Sequence, residues 1–424
     1  MNFKLNNLVE IVSSTTLDHD HSVGFHDIRP FNNQNKNLIL LHRYPLNNLG
    51  FKKENTTIDI CLWNIAKSQI EKIDTTDAWS WEQGSRLQWI NQNKFIYNKR
   101  IEEKLVSCVY DINDKSKKII QNSVYSVNTN KKFLNINYFR LWSLWRSYGY
   151  YTSNRDNSFK KKPENDGVFI CDLEDKNKEL ILSINSAVKL CKLENLDKYF
   201  FLCHPTFSPN GDKFVSLLRF FNDSGVLITY LICTDIESKI SQVLARERVS
   251  HFEWLNNEKL VVWCRNLNSK LVNLRFNHFI ETTIISFAKK LLNFTRKEFK
   301  TKILSTHYHV IDLKNPNEMV KLDEKLLTED GHPQISSDGK YLITDTYSNE
   351  NGYQKLLLYD LNKKKLYTLG EFKLADYLIT NGLKYDLHPR WSHDGSYINI
   401  DSSHEGSRQN YVINVENLIK KLDK

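Results

Sequence analysis

No hydrophobic run in this 424-residue chain approaches the roughly 20 apolar residues that a membrane-spanning helix needs, so a helical membrane span is not expected. The opening "MNFKLNNLVEIVSSTTL" lacks the apolar core of a secretory signal, so a cytoplasmic location is expected. Familiar catalytic motifs are missing too. The chain has no GxSxG elbow, P-loop, dinucleotide fingerprint, HExxH pair or kinase set, which excludes the commonest hydrolase, nucleotide and zinc-protease templates. Acidic residues abound, but no pair can be set at the separation that glycoside hydrolysis requires.

Cysteines are few and have no framework spacing. The seven (Cys61, Cys108, Cys171, Cys191, Cys203, Cys233 and Cys264) form an odd set, mostly within apolar runs. That argues against a disulfide scaffold and for small buried hydrophobes in a reducing compartment. Lys and Arg outnumber Asp and Glu by 59 to 50, a formal net charge of +9. The excess is Lys scattered beside Asn, with no basic run joined to a binding module, so nucleic acid is not an expected partner.

What the chain does have is a repeat. "HPTFSPNGDKFVSLLRF" (204–220), "HFEWLNNEKLVVWC" (251–264), "HPQISSDGKYLITDTY" (332–347) and "HPRWSHDGSYINIDSS" (388–403) share one pattern. Weaker copies begin at His26, Leu87 and Tyr125. Each reads as a short strand, a polar turn and a second strand, with Asn-Gly or Asp-Gly in the best three because glycine tolerates positive φ. A third strand follows every copy ("CLWNIA", "CVYDI", "VFICDL", "YLICTDI", "YHVIDL", "LLLYDL", "YVINV"). Seven hairpins with seven third strands at uneven spacing predict an all-β, seven-bladed β-propeller over residues 1–424, since blades tolerate long rim loops better than a solenoid does. "LVEIVSS" (8–14) is expected to supply the outer strand of the last blade and close the ring. Two stretches break the β rhythm: a loop insertion at 139–167 and a predicted helical insertion at 276–300, where Ile284, Ala288, Leu291 and Thr295 follow helical spacing.

A closed ring brings equivalent positions of different repeats together. His204, His332 and His388 stand just before an innermost strand, and His251 and His26 share that phase. Recurrence at one phase admits three readings: a blade-building hydrogen bonder, a divalent-metal site, or an acid/base or anion site. Asp330 and Asp386 are adjacent acids able to orient an imidazole. Arg43, Arg140 and Arg219 follow the second strands of their copies, "RSYGYY" adds Arg146, Tyr148, Tyr150 and Tyr151, and "DSSHEGSRQNY" adds His404, Glu405 and Arg408. Arginines grip carboxylates and aromatic rings lie against sugars, so an acidic oligosaccharide or polysaccharide satisfies both. For a uronate polymer the matching reaction is β-elimination, with a cationic group on the carboxylate and a His or Tyr base.

The segments 79–90, 124–150, 330–347, 354–361 and 385–415 together resemble the seven-bladed propeller family that includes ulvan lyases and, more distantly, oligogalacturonate lyase. The resemblance implies elimination on uronate-containing glycans. It implies a divalent metal, zinc or manganese, at His251, His332 and His388, and saccharide near His204, Tyr150, Arg140 and Arg219. Pro333 and Glu253 stand where relatives tend to carry a cysteine, so a fourth metal ligand of that kind is missing there. The competing expectation is a non-catalytic glycan-binding or scaffold propeller in surface-polysaccharide metabolism.

Overall fold

Alternating apolar residues in short runs, separated by Gly- and Asn-containing turns, leave each repeat one way to satisfy its main chain: pairing with the next run. The computed structural model describes residues 2–45, 56–128, 131–152, 159–265, 306–380 and 385–424. They form seven antiparallel sheets, one per repeat. The fourth is representative: Phe201–Phe207, Lys213–Phe221, Leu227–Asp235 and Ser241–Ala245 pair in sequence order. Both faces of its second strand are buried, with Phe214, Val215, Leu217 and Leu218 all at 0% exposure, because neighbouring sheets pack on either side.

First strands of neighbouring sheets touch between blades three and four, five and six, and six and seven, which places them toward the centre of a ring. All seven third strands and six of the seven predicted hairpins are present. In the first repeat the inner strand is Asp20–Ser22, upstream of His26, and only Phe31 bridges Ile39 where the predicted hairpin lay. The architecture is a seven-bladed β-propeller with short helical and loop insertions. Glu10–Ser14 pairs with Gln409–Asn414 as the outer strand of the last blade, as its sequence suggested. Phe3–Leu5 adds something unexpected, a fifth strand on the sixth blade along Gly370–Phe372. The N-terminal segment therefore joins two blades.

The turn chemistry is shared by the strongest copies. Ser336 Oγ donates to Asp338 at 2.6 Å and accepts the Tyr341 N–H at 3.0 Å, and Ser392 does the same with Asp394 and Tyr397. Gly339 and Gly395 follow at φ +73° and +70° with open space around them, so backbone conformation alone selects glycine there.

The insertion at 139–167 begins with a helix, Tyr138–Leu144, capped by Asn137 accepting the Arg140 N–H at 2.9 Å, and continues through a tight turn at Arg146–Tyr148. It leaves the second strand of blade three and leans on blade four. The predicted helical insertion at 276–300 lies outside the described residues. All seven cysteines are buried and unpaired. No helix among the described residues is long and apolar enough to cross a membrane.

Candidate functional site

Antiparallel pairing sets the start of each first strand beside the end of the second, so these two phases of every repeat share one face of the disc. Phe201 pairs with Arg219 in this way, which carries Arg219 toward His204. Four imidazoles gather at the centre of that face. Ring centroids are 4.2 Å apart for His332 and His388, 4.3 Å for His251 and His332, 5.1 Å for His26 and His332, and 5.5 Å for His26 and His251. Phe25 separates this group from His204, its ring 5.5 Å from His388 and 5.1 Å from His204.

The backbone is strained where it delivers two of these rings. His204 and His388 have φ of 54° and 43°, a left-handed conformation, and each precedes a proline that disfavours helical backbone before it. Such positions cost about 1–3 kcal/mol each and persist when the surroundings hold them. At His388 the holder is Asp345, which accepts the His388 main-chain N–H at 3.0 Å. The same carboxylate accepts the His332 N–H at 2.8 Å and meets His332 Nδ1 at 2.9 and 3.1 Å.

These contacts set the charges. Burial works against a charged His332, but Asp345 outweighs it and lifts that imidazole to about 9. Burial pushes His26, His204 and His388 well below the ordinary histidine value, and repulsion from neighbouring cationic groups adds to it. His251 is lowered less, since Asp330 sits 3.0 Å from its Nδ1. Four of the five imidazoles are thus neutral near pH 7. The Nδ1 atoms of His26, His204 and His388 are buried with no hydrogen-bond partner.

His332, Asp386 and His388 each offer one ligand atom, all within 4.8 Å of one another. The residues fit a divalent cation once His332 gives up its second ring proton, which binding would displace. Asp345 occupies His332 Nδ1 and Asp330 occupies His251 Nδ1, which leaves the Nε2 atoms facing away from the carboxylates, an arrangement common behind metal-bound histidines. Two imidazoles and a carboxylate suit zinc or manganese.

On the other side of Phe25, Tyr148 lies 5.2 Å from His204 and stacks on Trp145 at 3.8 Å. The Arg219 guanidinium sits 4.6 Å over the Trp145 ring, its Nε donates to Thr229 Oγ1 at 3.2 Å, and its Nη1 is buried without a partner. A positive group with an unused donor beside a neutral histidine is equipped to receive a carboxylate.

Of the residues singled out from sequence, His204, Arg219, His251, His332 and His388 come together around this face. Tyr150 and Arg140 do not join them. The Tyr150 hydroxyl accepts from Asn98 Nδ2 at 2.9 Å while its ring stacks on Tyr138 at 4.0 Å, and burial raises its phenol. Arg140 donates to the carbonyls of Phe200 and Lys160 at 2.8 and 2.9 Å, tying the insertion to blade four. Arg43 pairs with Asp59 at 2.7 Å. Asp345 escaped notice in the sequence, although Asp401 recurs at its phase of the next copy; there the acid meets Arg390 at 3.2 Å.

No protein-family profile and no curated protein matches the chain. Solved structures do match. An oligogalacturonate lyase in complex with manganese superposes with a TM-score of 0.62 over 97% of this chain and 94% of its own, at 11% identity. An oligogalacturonate lyase from Vibrio parahaemolyticus gives 0.57 over 98% and 97%, again at 11% identity. The chain is a propeller that resembles oligogalacturonate lyase in fold. At this identity the likeness concerns architecture, and the chemistry has to be argued from the residues.

Proposed function

We propose that the protein is a polysaccharide-lyase-like enzyme that cleaves uronate-containing oligosaccharides by β-elimination. The observation that carries this reading is the meeting of neutral His204 with Arg219, whose Nη1 has no partner, beside the His332, Asp386 and His388 cluster. Arg219 grips the uronate carboxylate and makes the C5 proton more acidic. His204 takes that proton. The C5–H electron pair becomes the C4=C5 bond, and the C4–O pair leaves with the glycosidic oxygen. Tyr148 protonates that oxygen, its phenol held in the protonated form mainly by burial. A divalent cation held by His332, His388 and Asp386 would add positive charge at the sugar's oxygens.

The test is absorbance at about 235 nm, from the unsaturated uronate, on mixing the protein with galacturonate, glucuronate and iduronate oligosaccharides. His204→Gln is expected to lower the rate by roughly 10²–10⁴-fold. Absence of the band on all three substrates refutes elimination. The glycan-binding scaffold remains a second reading because His204 and Arg219 are each only 6% exposed. Binding without product would establish it.

A further inference from the structure

One side chain holds the two halves of the histidine face apart. Phe25 is 1% exposed, and its ring lies 5.1 Å from His204, 5.5 Å from His388, 5.8 Å from Tyr148 and 6.4 Å from His332, at steep angles of 69° to 83°. His204 is on one side of it and the His332, Asp386 and His388 cluster on the other. Interiors are close-packed, so no ligand touches both while the ring stands there. The space it fills suits a six-membered sugar ring.

An apolar ring is an odd neighbour for these imidazoles. His26, His204 and His388, at 4.5, 5.1 and 5.5 Å from it, each keep a buried Nδ1 without a hydrogen-bond partner. A hydroxyl-bearing ring in the same place would offer partners that a phenyl ring does not, and leaving buried nitrogens unpaired is costly. The main chain beneath Phe25 is pinned. Gly24 O accepts Arg390 Nη2 at 2.5 Å, Phe25 O accepts Arg390 Nε at 3.3 Å and the Ile28 N–H at 3.3 Å, and Asp401 fixes Arg390 at 3.2 Å. Gly24 stands at φ +108°, where a Cβ would meet the Gln83 carbonyl oxygen at 2.9 Å. The movable part is therefore the Phe25 side chain, by rotation about its own Cα–Cβ bond.

We infer that Phe25 is a gate and place-holder: its ring closes the face in the ligand-free protein and turns aside when a single sugar ring takes its position between His204 and the cation cluster. The identity of the sugar rests on the reading of the face as a uronate site; control of access to His204 does not. A closed face lowers apparent affinity in proportion to the fraction of molecules whose ring has turned. Minor conformers of this kind are commonly about 0.1–10% populated, so removing the ring should raise affinity by about tenfold or more.

The experiment is acylation of the full chain by diethyl pyrocarbonate, which attacks neutral imidazoles, read residue by residue by mass spectrometry for the wild type, Phe25→Leu and Phe25→Ala. His204 is expected to react at least about tenfold faster in Phe25→Ala and at an intermediate rate in Phe25→Leu, which gives the answer if the smaller residue does not fold. His309, on the third strand of blade five and 0% exposed, reports loosening of the fold and should keep its wild-type rate. The same proteins are titrated with galacturonate, glucuronate and iduronate oligosaccharides. An unchanged His204 rate in the variants overturns the gate, as does equal acceleration of His204 and His309, or an oligosaccharide affinity that stays at the wild-type value while His204 opens. Acceleration confined to His204 with no oligosaccharide bound upholds the gate and removes the uronate reading. Elimination with His204 reactivity indifferent to both substitutions does the reverse.

Discussion

Replacing Asp345 by Asn tests whether one buried carboxylate holds the histidine face together. Asp345 is 1% exposed and serves three donors: the main-chain N–H groups of His332 and His388 and His332 Nδ1, at 2.8 to 3.1 Å. An amide of the same shape keeps one acceptor oxygen. Whichever way it turns, its NH₂ faces at least one main-chain N–H, and the ionic partner of His332 is gone. Hydrogen bonds to a buried charge contribute about 1.5–3 kcal/mol each, and breaking a buried pair from one side costs about 3–5 kcal/mol. Because one oxygen survives, a loss of about 3 kcal/mol in unfolding free energy is expected. It should be measured by urea denaturation of chelator-treated protein. Manganese or zinc affinity should fall by roughly 10- to 100-fold, because the cluster loses the group that orients two of its histidines. An unchanged urea midpoint together with unchanged cation binding would refute the role given to Asp345.

Other outcomes follow from the same structure. Removing residues 1–14 takes away the outer strand of the last blade and the added strand of the sixth; urea unfolding should shift to lower midpoint and proteolysis should begin in blades six and seven. Gly395→Ala, at φ +70° in open space, is expected to cost about 1 kcal/mol through backbone strain alone, and an unchanged midpoint would contradict it. Asp74 is held down to about 2 by Lys99 at 2.8 Å and by Tyr97, against the opposing effect of burial. Its folded value lies below the unfolded one near 3.9, so its contribution is present above about pH 4 and lost as pH falls toward 2. Asp74→Asn should flatten the acid limb of the stability curve by roughly 1 kcal/mol, allowing for solvent screening at this partly open site.

The fold was legible because its signal is local and repeated. Each hairpin announces itself through strand alternation and a turn residue, and seven weak signals at one phase add up. The histidine phase was legible for the same reason: His204, His251, His332 and His388 occupy one position of the repeat, and a closed ring converges equivalent positions. Tyr150 and Tyr148 illustrate the limit. They are two residues apart in the same insertion, and nothing in "RSYGYY" says which ring meets His204. The tight turn at Arg146–Tyr148 turns Tyr148 onto Trp145 and His204, while Tyr150 drops between blades two and three.

Sequence alone determined seven sheets, their order, the use of an N-terminal strand to complete the last blade, and the gathering of the recurrent histidines. Those properties follow from pairing and periodicity, which are written between near neighbours along the chain. Tertiary structure alone decided which carboxylates serve His251 and His332, why His332 and His204 carry opposite charge states at neutral pH, and why Arg219 keeps an unused donor while Arg140 does not. Those properties depend on desolvation and on contacts between blades, whose partners stand tens to hundreds of residues apart.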